Sequence, residues 1–271
     1  MFGAASFRVN ALLSFALLIP FPVLAHISEL DQIQIAPPMT QVQSPPENAS
    51  VEELEKQGDE LRGKKQYMDS IDYYQAAQKK AAASAPLFNK IGIAELMLQR
   101  YKEAGKSFEQ AIKKDRKFGE AYNNLGVIHY ERRKYGAAVK QYKKAIELQP
   151  QSASFYSNLG AAYFARKEFE HASQAYAQAV RLDPQIFERT SHTGISAQMA
   201  SPEDRAHYDY VVAKLYAKMG DRERSFQFLR KAMEDGYKGL KDVYTDPEFA
   251  ELRADARFAE LMKAKSPIIP E

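Results

Sequence analysis

The chain has 271 residues, 45% hydrophobic and 27% charged, with 38 lysines and arginines against 35 aspartates and glutamates and a formal charge of +3. These proportions exclude global disorder, and because the two signs are interleaved rather than gathered in blocks, there is no electrostatic footprint for nucleic acid. The absence of cysteine removes disulfides, thiolate metal sites and cysteine nucleophiles together.

At the start, Arg8 precedes an apolar run over residues 11–21, and Val23-Leu24-Ala25 follows with small residues at the usual cleavage positions. The run is about half of the ~20 residues a membrane-spanning helix needs, and Pro20 and Pro22 interrupt it. Residues 1–25 therefore read as a secretory signal. They predict an exported protein, periplasmic or extracellular, with no membrane span after signal cleavage. Residues 26–50 contain Pro37-Pro38, Pro45-Pro46 and several glutamines with no apolar period, and read as a disordered, Pro-rich linker. Ser50 followed by Glu53 is a capping box that opens the first helix near Val51.

A 34-residue period then begins. Gly58, Gly92, Gly126 and Gly160 share one place, with Leu54, Phe88, Tyr122 and Tyr156 four residues before them. Twelve residues past each glycine comes Ser70, Ala104, Ala138 or Ala172, then Tyr74, Phe108, Tyr142 or Tyr176, then Ala77, Ala111, Ala145 or Ala179. Both series have helical spacing. Glycine and alanine let two antiparallel helices approach while the bulky residues fill the space beside them, so each unit is predicted to be one helix hairpin. Pro150 and Pro184 close the third and fourth units, since proline cannot continue a helix interior.

This pattern resembles the tetratricopeptide repeat family, most closely in Tyr122-Asn123-Asn124-Leu125-Gly126 and Tyr156-Ser157-Asn158-Leu159-Gly160. The resemblance implies an all-α, right-handed superhelical solenoid of stacked antiparallel hairpins, with units at 51–84, 85–118, 119–152 and 153–186. Gln57, Glu95, Arg116 and His129 depart from the pattern, and Glu95 and His129 are expected to loosen their local core. A fifth, divergent unit at 206–239 carries Val212, Ala213, Tyr216, Gly220, Ser225, Leu229 and Ala232 on family places. An insertion at 187–205 separates it from the fourth and ends in Ser201-Pro202-Glu203-Asp204, a helix start. That insertion is read either as a functional loop or as a surface connection. Residues 240–271 read as capping helices and a tail, with Asp246 and Asp255 each expected to cap a short helix.

No constellation for catalysis is present. The five histidines form no metal spacing, and there is no phosphate loop or nucleophile elbow, so neither an enzyme nor a metal or cofactor site is expected. Interaction with another protein is the expected function. On the first helix of each unit, the face away from its partner helix lines a concave groove in proteins resembling this family. The candidate groove residues are Lys56, Asn89, Lys90, Ile93, Leu96, Met97, Asn123, Asn124, Val127, Tyr130, Asn158 and Phe164. Lys56, Lys90, Asn124 and Asn158 share the sixth place, where an asparagine amide can donate to and accept from a peptide backbone. The family's clamp for a C-terminal carboxylate is disfavoured, because Glu55 and Asp59 occupy its lysine and asparagine places and would repel the ligand. A mostly apolar peptide or helix is expected instead, unless later helices cover the same side chains. The alternative is self-assembly into a homo-oligomer, the groove of one copy taking the linker or the tail 266–271 of another.

Overall fold

The computed structural model describes residues 44–81, 84–189 and 201–263. The signal segment, most of the linker, residues 190–200 of the insertion and the tail lie outside them.

Eight helices form four consecutive hairpins: α1 (Val51–Gly63) with α2 (Tyr67–Lys80), α3 (Ala85–Met97) with α4 (Tyr101–Lys114), α5 (Gly119–Glu131) with α6 (Tyr135–Leu148), and α7 (Ala153–Ala165) with α8 (Phe169–Leu182). After the short α9 (Ile186–Arg189), α10 (Pro202–Lys218) and α11 (Arg222–Glu234) make a fifth hairpin. Two 3-10 turns (Leu240–Tyr244 and Pro247–Phe249), α12 (Ala250–Arg253) and α13 (Ala256–Lys263) close the chain. The described residues are thus all-helical, a solenoid of stacked hairpins, and none of their helices is long and apolar enough to cross a membrane.

Helix starts follow local chemistry. Glu53 N–H donates to Ser50 Oγ at 3.1 Å while Ser50 N–H donates to Glu53 Oε2 at 2.7 Å, closing the capping box. Ser84 and Ser201 cap α3 and α10 by the hydroxyl alone, which accepts from Leu87 and Asp204 N–H, each with a proline in the first turn. The first helix of each of the four units ends at a residue in the left-handed region: Lys65 (φ 62°), Gln99 (58°), Arg133 (57°) and Lys167 (62°). The next N–H turns back to a carbonyl of the last helical turn, as from Gln66 to Leu61 at 2.9 Å and from Lys134 to His129 at 2.8 Å. The fifth hairpin has Gly220 at this place (φ 79°), the residue that adopts the conformation without a Cβ penalty.

Within each hairpin the glycine lies under the aromatic ring of the second helix. A Cβ on Gly58, Gly92, Gly126 or Gly160 would stand 2.4–2.5 Å from the ring of Tyr74, Phe108, Tyr142 or Tyr176, so only glycine fits. Ala77, Ala111, Ala145 and Ala179 on the second helices are fully buried. The fifth hairpin solves the same contact with another pair. Ala213 replaces the glycine and Leu229 the aromatic ring, both fully buried, and Ser225 Oγ donates to the Ala213 carbonyl at 2.9 Å. Glu95, expected to loosen its core, instead accepts a hydrogen bond from Ser107 Oγ at 2.7 Å.

The fifth hairpin does not extend the stack in the regular way. Between the earlier units, the start of a second helix lies beside the end of the next first helix, as Gly136 of α6 lies against Arg166 after α7. On α10, by contrast, His207 meets Phe169 at the start of α8 (rings 4.4 Å apart), Tyr208 meets Tyr176 (5.5 Å), and Tyr216 Oη donates to the Pro184 carbonyl beyond its end (3.4 Å). The pairs advance in the same direction along both helices, so α10 runs parallel to α8. A parallel pairing requires the chain to return the length of the 14-residue α8, about 21 Å, before α10 can begin. Helix α10 is then enclosed, with nine buried residues distributed around it, because α8 and α9 cover one side and the closing segment another. Asp246 is not a cap: its Oδ2 accepts from Tyr210 Oη at 2.8 Å and pairs with Lys214 at 2.8 Å, tying the closing segment to α10. Asp255 does cap α13, accepting from Arg257 N–H at 3.0 Å.

Candidate functional site

The first helices α1, α3, α5 and α7 present a common face whose character changes along its length. At the N-terminal end, Lys90 Nζ donates to Glu55 Oε2 at 3.0 Å and Asp59 Oδ2 at 2.8 Å, while Asp59 Oδ1 accepts from Tyr74 Oη at 2.7 Å. Arg62 Nε donates to Tyr74 Oη at 3.2 Å. Burial works against ionisation of Asp59, but the hydrogen bonds from Lys90 and Tyr74 outweigh it and hold the carboxyl below its ordinary range. Hydrogen bonds to Asp59 and Glu55 in turn hold Lys90 above its own range against burial. Glu55, Asp59, Arg62 and Lys90 are thus all engaged within the chain. The shallow, open hollow beside it, lined by Glu52, Glu55, Lys56 and Asp59, is mainly acidic.

In the middle, the asparagines bond to one another. Asn158 Nδ2 donates to Asn123 Oδ1 at 2.9 Å, Asn123 Nδ2 to Asn124 Oδ1 at 3.2 Å, and Asn124 Nδ2 to Asn89 Oδ1 at 2.8 Å. The chain of amides links α7, α5 and α3. Asn89 and Asn123 are only 8% exposed, so the ladder expected to hold a peptide backbone is committed first to holding adjacent units together. Beside it Met97 is 54% exposed, and Ile93, Leu96, Val127 and Tyr130 are half-buried. These side chains form the open apolar strip of the face.

At the C-terminal end Phe164, expected as an anchor on the open face, is buried. Its ring packs edge-on against Phe169, His207 and Tyr208, because the parallel α10 brings its first turns over the end of α7. The same approach encloses a cleft of 590 Å³ between the ends of α5 and α7 and the start of α10. Tyr130, Glu131, Phe164, Phe169, Asp204 and His207 contribute to its wall. Glu131 Oε1 is buried without a hydrogen-bond partner among the described residues, and burial pushes that carboxyl above its usual range. Beneath this end, the buried hydroxyls of Tyr142 and Tyr176 also lack partners among the described residues. Burial, and for Tyr142 then the charges of Tyr130 and Glu131, drive both far above the ordinary tyrosine range. This cleft was not legible in the sequence, since it arises from the direction of α10.

Among the described residues, no three histidine, aspartate or glutamate side chains converge as metal ligands would. A hairpin solenoid with an apolar strip and a side-chain cleft on one face defines a binding scaffold by class. Tetratricopeptide repeat profiles match residues 55–117 and 153–186, and a TPR repeat profile matches residues 128–166. The chain belongs to the tetratricopeptide repeat family. No curated protein sequence matches it. Similar solved structures include TTC0263, a thermophilic TPR protein of Thermus thermophilus, at 19% identity, with 79% of this chain and 99% of that one covered and a TM-score of 0.49. MamA from Desulfovibrio magneticus RS-1 matches at 16% identity over 75% and 100% of the two chains, with a TM-score of 0.49. YrrB, described as a TPR protein with an unusual peptide-binding site, matches at 17% identity over 72% and 91%, with a TM-score of 0.46.

Proposed function

We propose that the chain is a non-catalytic adaptor that holds a peptide or helix segment of another protein along the face of its first helices. The observation that carries this reading is the strip on α3 and α5, where Met97 is 54% exposed beside the half-buried Ile93, Leu96, Val127 and Tyr130 and leads into the cleft at Phe164. A row of partly covered apolar side chains at helical spacing, ending in a cavity, suits an amphipathic helix or an extended segment with apolar anchors. The acidic hollow at the N-terminal end disfavours a C-terminal carboxylate there.

Export, proposed from the leader-like residues 1–25, places the partner among envelope or secreted proteins. Intact mass spectrometry of the protein from its native host tests this: a mature chain beginning near His26 is expected, and one that retains Met1 argues against it. For the binding surface, Met97→Glu is the clean substitution because the side chain already faces solvent. It is expected to weaken capture of the partner about tenfold or more, as loss of an interface anchor does, whereas Lys140→Glu on α6 leaves capture unchanged. Equal capture by wild type and Met97→Glu contradicts the surface assignment.

A further inference from the structure

The cleft carries a sharper statement about the partner, one that rests on the face of the first helices being the binding surface. Its walls are rings, from Tyr130, Tyr135, Phe164, Phe169, His207 and Tyr237. Such walls accept an alkyl stem along their edges and a cation over their faces. Its polar groups are not neutral toward the occupant. Glu131 has a buried oxygen with no donor among the described residues. Asp204, in the first turn of α10, lines the same cleft, its Oδ2 accepting from Ser201 Oγ at 2.8 Å. Three cations also line the cleft, but among the described residues none pairs with Glu131 or Asp204. Lys238 pairs with Glu203, and Arg133 and Lys167 are exposed in the turns that follow α5 and α7.

We propose that the cleft receives a basic side chain of the bound segment, its cation lying among the faces of Tyr130, Phe169 and His207 and on the carboxylates of Glu131 and Asp204. An ammonium or guanidinium pairs with the carboxylates that line the cleft, and the aromatic walls take its methylene stem out of water. A neutral apolar side chain fills the same volume but leaves the carboxylate unmatched, and an acidic one is repelled by it. The exposed Arg133 and Lys167 at the mouth favour acidic residues flanking the basic one in the partner. The strip around Met97 thus supplies contact area, while the cleft reads one residue of the ligand.

The test uses the full chain and a displayed library of random twelve-residue peptides. Enriched peptides are expected to share a lysine or arginine at one position beside apolar residues. Replacing that residue by norleucine in a synthetic peptide is expected to weaken binding about tenfold, the scale of a desolvated cation–aromatic contact joined to a charge-assisted hydrogen bond. Glu131→Gln, isosteric and checked by an unchanged melting temperature, is expected to remove the preference for the basic residue. The norleucine peptide needs no protein variant and decides the matter should that substitution perturb the fold. Peptides with no shared basic residue, or norleucine peptides that bind equally well, overturn the cation pocket while leaving the groove intact. Peptides whose binding ignores both Met97→Glu and Glu131→Gln overturn the groove reading itself.

Discussion

The two ends of the binding face treat the same buried tyrosine in opposite ways. In the first unit Tyr74 reaches an aspartate and an arginine on the neighbouring helix, and Lys90 from the next unit completes the cluster. In the third and fourth units Tyr142 and Tyr176 occupy the equivalent place, but the positions matching Asp59 and Arg62 hold Val127 and Tyr130, then Ala161 and Phe164. Their hydroxyls are left without partners among the described residues, and burial raises the carboxyl of Glu131, whose charge acts on Tyr142. A polar group satisfied inside the chain is closed to a ligand, whereas an unmatched one costs stability and can be matched by a ligand. The N-terminal end is therefore closed by its own side chains, whereas the C-terminal end leaves polar groups unmatched, in keeping with the receiving role proposed for the cleft.

The largest expected effect lies at Asp209. It stands on α10 at the place held by Leu54, Phe88, Tyr122 and Tyr156 in the regular units. Burial pushes its carboxyl up to about 7, with Lys231 and Arg205 pulling it down and Asp235 pushing it up. An acid with a raised folded pKa binds more protons folded than unfolded, so stability falls as pH rises from the ordinary aspartate range to about 7 and levels off above it. Asp209→Asn is expected to be more stable than wild type at pH 8, by on the order of 2 kcal/mol after solvent screening, with a smaller gain at pH 5. Urea denaturation at the two pH values measures the difference, and a gain that does not grow with pH rejects this role for Asp209.

Next in size is Asp59→Ala, which takes an acceptor from Tyr74 and from Lys90 at once. A loss of about 1.5 kcal/mol is expected in the same measurement. Tyr74→Phe follows, at about 1 kcal/mol less stable, because one hydroxyl with two partners is removed. Tyr142→Phe and Tyr176→Phe should show the reverse sign, a gain of up to about 1 kcal/mol, since a buried hydroxyl without a partner is deleted and Phe108 already fills this place in the second unit. If all three tyrosine variants lose stability equally, the contrast between the two ends is wrong.

Much of the scaffold was legible in the sequence, for a physical reason. Glycine under an aromatic ring is a contact between helices of one hairpin, so both partners fall at a fixed offset and recur with the unit. Helix starts were legible in Ser50 and Ser201 because capping is local. The bonding of the asparagines was not, since Asn124 meets Asn89 only when α5 and α3 are set side by side, a relation between units. Asp246 misled because an aspartate before proline has the form of a cap, while Tyr210 and Lys214, thirty residues or more away, claimed its oxygens. The direction of α10 left no local trace either. An insertion shows that the chain makes a detour and not where it re-enters, and both the burial of Phe164 and the cleft follow from that re-entry.

The most direct measurement is photo-crosslinking in the native host, with a photoreactive residue placed in turn at Lys56, Met97, Arg133 and Lys140. Adducts with one partner are expected to be strongest from Arg133 at the cleft and Met97 on the strip, falling to background at Lys56 in the acidic corner and at Lys140 on α6. Adducts strongest at Lys56, or as strong at Lys140 as at Arg133, would contradict a receiving end at the cleft.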